Sequence, residues 1–277
     1  MTTRTYAPSV RVGNWNEDIQ LEEDTIKDFL EKRERGELLI QKSADFSAIV
    51  LKGTALSVVN DGALHMGDCV QLVNPMAADR TKYFANIDPR DESCLSVNIS
   101  ASKLLAERKI AGTCQVSSSI NHKSPYARNT FVIESVDGSP LQSQLHFNQP
   151  FCLRTTEDAN SNRLGQLYLS SDTLTLQRQA KKSRHQEVLL VPERSFLCQW
   201  HVTYLDPQMR LEMEGRPVPA NAKVLFVHSK TGQSLCIEEA CKVKTMLGFE
   251  YEVTATTCLD SHKAEKECNH WIFKTGN

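Results

Sequence analysis

The sequence predicts a mainly β protein of the β-trefoil type, preceded by an N-terminal arm and one helix. Two observations lead to this fold class. After residue 45 the chain consists of short alternating apolar segments between turn residues, which is typical of half-buried strands. The same four strand patterns then recur three times in the same order, and twelve strands in three four-stranded units form a β-trefoil. We therefore expect an arm and helix over 1–45 and a β-trefoil-like domain over 46–277.

The N-terminal arm is expected to be extended over residues 1–20, and it contains candidate partner-binding residues. Trp15 is its one large apolar anchor. An exposed tryptophan on such an arm is usually buried against something, either its own domain or a partner. The candidate partner-binding residues are Arg11, Asn14, Trp15 and Asn16.

The helix is predicted over residues 21–36. Ile26, Phe29 and Leu30 share one face at helical spacing. Acidic residues begin the segment and basic residues end it, as the helix dipole favours, and Gly36 supplies a C-terminal stop. The narrow apolar stripe predicts a surface helix that packs along one edge.

The repeat is clearest in three aromatic positions, Phe131, Trp200 and Trp271, which lie 69 and 71 residues apart. This spacing predicts that Trp271 lies in the core. A Pro-rich connector over 206–224, stiffened by Pro217 and Pro219, is either a linker or a rigid contact surface. A looser β-sandwich is the competing arrangement. The other repeated patterns are Val70/Leu72, Phe151/Leu153 and Leu225/Val227; Leu95/Val97, Leu167/Leu169 and Leu235/Ile237; and Val116, Val188 and Val253.

The segment CLDSHKAEKECNHWIF contains five possible metal ligands in thirteen positions: Cys258, Asp260, His262, Cys268 and His270. Their spacing matches none of the usual structural zinc patterns. The segment also contains cysteine and histidine side chains that could act as nucleophile and base, but only if the fold brings them together. We expect a solvated loop with no metal and no catalytic role, and we predict no cofactor.

Composition limits the function classes. The net charge is −2, so no strong basic field is available for nucleic acid or for an anionic membrane surface. No apolar signal sequence or bilayer-spanning run is evident. The nine cysteines are scattered and include no C-x-x-C pair, and some, such as Cys236, lie in apolar segments as small hydrophobic residues. We expect a soluble protein of a reducing compartment.

Long strings of this chain resemble the cilia- and flagella-associated protein 161 family. They include VRVGNWNEDIQLEEDTIKDFLEKRERGELLIQKS, RNTFVI, PQMRLEMEGRPVPANAKV and LDSHKAEKECNHW. In addition, VLFVHSKTGQSLCIEE followed by GFEYEVTA resembles the MIR type of β-trefoil repeat. The resemblance runs from about Val10 to Gly276.

The resemblance implies a non-enzymatic microtubule inner protein. Such a protein lies in the lumen of the doublet microtubules of cilia and sperm flagella, binds α/β-tubulin and other microtubule inner proteins, and stabilises the doublet during beating. Two alternatives belong to other classes: a ligand- or carbohydrate-binding β-trefoil module, and a metal- or cysteine-dependent enzyme. A ligand-binding trefoil would show a polar and aromatic trio in each unit, and no such trio is found.

Overall fold

The computed structural model describes residues 15–75, 92–98, 112–120, 124–156 and 165–276. The chain divides into two compact units, Met1–Phe46 and Ser47–Asn277. No helix within the described ranges is both long and apolar enough to cross a bilayer.

The first helix, α1, runs over Trp15–Glu34, and the second, α2, over Leu39–Val50. The predicted stop at Gly36 is confirmed. Its φ is +69°, its N–H donates to the Arg33 carbonyl, and the Glu37 N–H donates to the Lys32 carbonyl. This pair of bonds is the Schellman motif, which needs a residue in the left-handed region at the position of Gly36.

Two expectations for this segment are wrong. Residues 15–20, predicted as extended arm, are helical, because Glu17 and Asp18 in the first turn suit the positive end of the helix dipole. Residues 46–50, predicted to lie within the strand region, continue α2. Arg11 and Asn14 fall outside the described residues.

Twelve strands follow within the described part of the second unit. A short helix, α3, lies over Arg210–Met213, between the eighth and ninth of these strands. The strands are Cys69–Asn74 (β1), Ser93–Asn98 (β2), Cys114–Ser119 (β3), Phe131–Ser135 (β4), Phe151–Thr155 (β5), Tyr168–Ser171 (β6), Val188–Val191 (β7), Trp200–Thr203 (β8), Lys223–His228 (β9), Leu235–Thr245 (β10), Gly248–Ala255 (β11) and His270–Lys274 (β12).

Six of these strands close into a barrel. The antiparallel pairs run β1–β4, β4–β5, β5–β8, β8–β9, β9–β12 and β12–β1. The other six form three hairpins, β2–β3, β6–β7 and β10–β11, which join one another through β3–β7 and β3–β11. A closed six-stranded barrel with a cap of three hairpins is the predicted β-trefoil arrangement and not the competing sandwich.

The barrel core is aromatic and fully buried, as the repeat predicts. Phe131, Trp200 and Trp271 have no exposed surface. Phe226 stacks on Trp200 with ring centroids 4.8 Å apart, and it meets Phe273 edge-to-face at 5.5 Å. Such pairs add about 0.5–1.5 kcal/mol each beyond the area they bury.

The barrel end at which β1, β5 and β9 begin is closed by a ring of backbone hydrogen bonds, which we call the apical ring. The Leu64 N–H donates to the Val218 carbonyl (2.9 Å), Val218 to Leu145 (2.8 Å), and Leu145 to Leu64 (2.7 Å). All three side chains are fully buried. Each of the three four-stranded repeats contributes one residue, so the ring follows the threefold repeat.

The apical ring explains the Pro-rich connector over 206–224. Pro217 and Pro219 flank Val218 and form isolated bridges with His146 and Ala63, respectively. The connector is therefore an ordered segment that helps to close this end of the barrel.

A buried ion pair joins the hairpin cap to the loop before β4. Arg128 and Glu250 are each 1% exposed, and they are joined by two hydrogen bonds of 2.9 and 3.0 Å. Ser117 also donates to Glu250, at 2.5 Å, and Arg128 donates to the Val97 carbonyl.

Candidate functional site

Three cysteines converge where β10 and β12 begin, at the barrel end opposite the apical ring. Cys236 is the second residue of β10, Cys258 follows β11, and Cys268 lies in the 3₁₀ turn Glu267–Asn269 before β12. Their sulfur atoms all lie within 4.8 Å of one another, and Cys236 Sγ is 3.9 Å from Cys258 Sγ. We call this group the thiol cluster. Cys236 is buried, and the other two cysteines are partly exposed.

Asn269 holds the backbone around the thiol cluster, and its side chain is fully buried. Its Oδ1 accepts a hydrogen bond from the Cys258 N–H (2.8 Å), and its Nδ2 donates to the carbonyls of Leu235 (3.1 Å) and Thr256 (2.8 Å). Trp271 Nε1 also donates to the Leu235 carbonyl, at 2.9 Å. The three chain segments are therefore fixed relative to one another by buried hydrogen bonds.

A second amide steadies the turn that presents Cys268. Asn74 Nδ2, at the end of β1, lies within hydrogen-bonding distance of the carbonyls of Glu267 (3.1 Å), Cys268 (3.3 Å) and His270 (2.8 Å). The backbone of the turn is thereby tied to the barrel.

The other candidate ligands of this segment do not join the thiol cluster. Asp260 Oδ1 accepts hydrogen bonds from the N–H groups of His262 and Ala264, at 2.8 and 2.9 Å. His270 Nε2 bonds the Glu265 carbonyl at 3.0 Å, and burial lowers the pKa of this imidazole. Asp260 and His270 thus shape the loop, and the structure brings together only two of the five predicted candidates.

The three thiols of the cluster shift one another's pKa values. Hydrogen bonding from the Cys236 thiol lowers the pKa of Cys268 to about 7, and the same bond raises the pKa of Cys236. Burial raises the pKa of Cys258. The first proton is lost most easily from Cys268, because a thiolate there is stabilised by thiol donors on both neighbours.

Sequence reasoning missed Cys236, which lies 22 residues before Cys258. A signal was present in the repeat. Leu235 and Ile237 form a predicted core pair, so strand alternation places Cys236 on the opposite face. Cys236 pairs with Thr254 of β11, only four residues before Cys258. The expectation of no metal was based on spacing within 258–270 and did not consider a ligand from β10.

Among the predicted partner-binding residues, Trp15 is the first residue of α1 and Asn16 is exposed in its first turn. The apolar stripe of α1 is also solvent-accessible, with Ile26 58% and Phe29 50% exposed. Whether these residues bind a partner stays a prediction.

The closed barrel and its cap of three hairpins define a β-trefoil protein. Two solved structures share the fold. The SDF2-like protein from Arabidopsis thaliana matches with a TM-score of 0.50 and 12% identity, over 76% of this chain and 93% of that chain. A Caenorhabditis elegans protein of unknown function matches with a TM-score of 0.52 and 14% identity, over 79% and 100%.

The chain belongs to the cilia- and flagella-associated protein 161 family. The domain described as cilia- and flagella-associated protein 161-like matches residues 42–276. Proteins of that name are 44% identical in Danio rerio (99% of this chain, 89% of the relative), 40% in Bos taurus (100% and 84%) and 39% in Mus musculus (100% and 90%). The family membership supports a protein associated with cilia and flagella.

Proposed function

We propose that this protein is a non-enzymatic structural component of motile cilia and sperm flagella that binds the luminal face of doublet microtubules. Its partners are α/β-tubulin and neighbouring microtubule inner proteins. The observation that carries the proposal is a closed barrel with large apolar side chains exposed on several separate loops, in a chain whose family is named for cilia and flagella.

The exposed apolar residues lie on connections between different pairs of strands. Leu141 between β4 and β5 is 81% exposed, Leu176 between β6 and β7 is 92% exposed, and Leu211 in α3 is 85% exposed. Phe249 on the β10–β11 hairpin is 63% exposed. A rigid barrel holds such contacts at fixed spacings, and several weak contacts to a periodic lattice then bind together far more tightly than any one alone.

The charge of the chain suits a luminal position. Acidic tubulin tails lie on the outer microtubule surface, and a protein that bound them would need a strong positive field. The net charge is −2, so retention should depend little on ionic strength. Apolar contacts are not screened by salt, and high salt should leave the complex intact.

The proposal is tested by extracting axonemes from motile ciliated cells that express the tagged protein. We expect retention in the doublets after high salt has removed the dyneins. A variant with Leu141, Leu176 and Leu211 changed to Ser should be released under the same conditions, and single changes should have smaller effects. The matched control changes the same three residues to Met, which keeps the apolar surface. Complete release of the parent protein by salt, or its absence from the axoneme, would overturn the proposal.

The ligand-binding alternative has weaker support. A cleft at the centre of the hairpin cap, lined by residues that include Val116, Val188, Glu252 and Val253, has a volume of about 100 Å³. Sites for small organic ligands commonly measure roughly 300–1,000 Å³. The Glu252 carboxylate already accepts hydrogen bonds from the backbone N–H groups of Lys182 and Ser183.

A further inference from the structure

We propose that Cys236, Cys258 and Cys268 form a three-thiolate binding site for a soft metal ion, with Zn²⁺ as the expected occupant. The site is independent of the proposed binding to microtubules. The three ligands come from separate segments of the chain, so the fold and not a local motif assembles the site.

The sulfur positions suit metal coordination. Zinc–sulfur bonds of about 2.3 Å place the sulfurs of a tetrahedral or trigonal site about 3.8–4.0 Å apart. Cys236 Sγ and Cys258 Sγ are 3.9 Å apart, and all three sulfurs lie within 4.8 Å of one another. A shift of less than about 1 Å at Cys268 would complete the set. A disulfide would require two sulfurs to approach by almost 2 Å, since its S–S bond is about 2.05 Å.

The surroundings support a bound cation. The backbone near the three cysteines is fixed by the buried side chain of Asn269. Three thiolates whose sulfurs lie within 4.8 Å of one another repel each other, and a divalent ion bound between them would relieve that repulsion. Thiolates are the ligands that select soft ions such as Zn²⁺ over Mg²⁺ or Ca²⁺.

The fourth coordination position is open to solvent. Cys258 and Cys268 are partly exposed, whereas Cys236 closes the inner side of the site. The Asn269 side chain already makes its three backbone hydrogen bonds, so water is the expected fourth ligand. The bound ion would join β10, the loop after β11 and the turn before β12.

The test is metal titration of the full-length protein, purified under reducing conditions and stripped of metal. We expect one equivalent of Co²⁺ to give thiolate-to-metal charge-transfer absorption, and Zn²⁺ to displace it. At a hundredfold excess of free Zn²⁺ over its Kd, the Tm should rise by roughly 5–10 °C.

Cys258→Ser and Cys268→Ser should each abolish the Co²⁺ absorption while leaving the Tm of the metal-free protein within about 2 °C of the parent. Cys241→Ser is the matched control, since Cys241 also lies in β10 but outside the cluster, and it should keep the signal. Three results would overturn the proposal: no binding near one equivalent, binding that survives both changes together, or a disulfide among these cysteines in the protein isolated under reducing conditions.

Discussion

Replacing Glu250 by Gln should lower the free energy of unfolding of the β-trefoil unit by about 3–5 kcal/mol. The change keeps the size of the side chain but removes the charge that faces Arg128. Both residues are 1% exposed, so the guanidinium would remain buried without its counter-ion. The new amide would also direct N–H donors toward donors on Arg128 or Ser117, which now bond the carboxylate.

The magnitude can be worked from the contacts. Arg128 donates to both carboxylate oxygens, at 2.9 and 3.0 Å. Two unit charges about 4 Å apart interact by about 4 kcal/mol at an effective dielectric constant of 20. This agrees with the range measured when one partner of a buried pair is removed. In a unit of this size the Tm should fall by roughly 6–20 °C.

The assay is urea unfolding of the parent and the variant. Their free energies of unfolding can be compared directly when the two m-values are equal. Glu212→Gln is the matched control, because it breaks an exposed pair with Arg216 that lies 3.4 Å apart, and it should cost at most about 0.5 kcal/mol. The double variant Arg128→Met with Glu250→Leu should be much less destabilised than Glu250→Gln, since it leaves no unpaired charge. A loss below 1 kcal/mol for Glu250→Gln, or a double variant as unstable as the single, would refute the reasoning.

Three further predictions concern separate parts of the molecule. Changing Ile26 and Phe29 of α1 together to Lys should weaken axoneme retention while shifting the Tm by less than about 2 °C, because both side chains are at least half exposed; a larger shift would show that they support the fold. Asn269→Leu should cost about 2–4 kcal/mol in urea unfolding, because it leaves buried backbone groups near the thiol cluster without their partner; Asn16→Leu, on the exposed first turn of α1, is the control and should be nearly neutral. The hydrogen bond from Lys230 lowers the pKa of Asp172 to about 2, so its contribution to stability is present above about pH 4 and is lost as the pH falls through 2. The Tm difference between parent and Asp172→Asn should therefore shrink toward pH 2, and a difference that stays constant with pH would contradict this assignment.

The strand order and the core could be predicted from sequence because they follow from a repeated pattern. Phe131, Trp200 and Trp271 occupy equivalent strands, and the threefold recurrence compensates for the weakness of each two-residue pattern. A closed barrel must bury one side chain at each such position, so the pattern and the packing have the same cause.

The helices were harder to predict because propensity and dipole effects are small. The start of α1 at Trp15 rests on first-turn charges worth only a few tenths of a kcal/mol to about 1 kcal/mol each. The second helix contains Phe46, Ile49 and Val50, which also suit a strand. Local sequence alone could not choose between these states.

The thiol cluster and the apical ring depend on contacts between distant parts of the chain. Cys236 belongs to an apolar strand, and only the pairing of β10 with β11 brings it to Cys258. Likewise, Pro217 and Pro219 mark a rigid segment, but its role appears only when Val218 meets Leu64 and Leu145. Patterns within one short segment do not show that these residues lie together in the folded chain.

The apical ring also determines when the protein can finish folding during its synthesis. Leu64 and Leu145 leave the ribosome well before Val218, so two of the ring's three hydrogen bonds, those that involve Val218, cannot form until that residue emerges. The first barrel strand, β1, must also wait for its partner β12 (His270–Lys274), which is synthesised much later than β1. Translation at about 5–20 residues per second leaves the earlier units incomplete for several seconds or more. The nascent chain thus carries unpaired strand edges while most of the barrel is synthesised, and it would benefit from a chaperone until β12 is released.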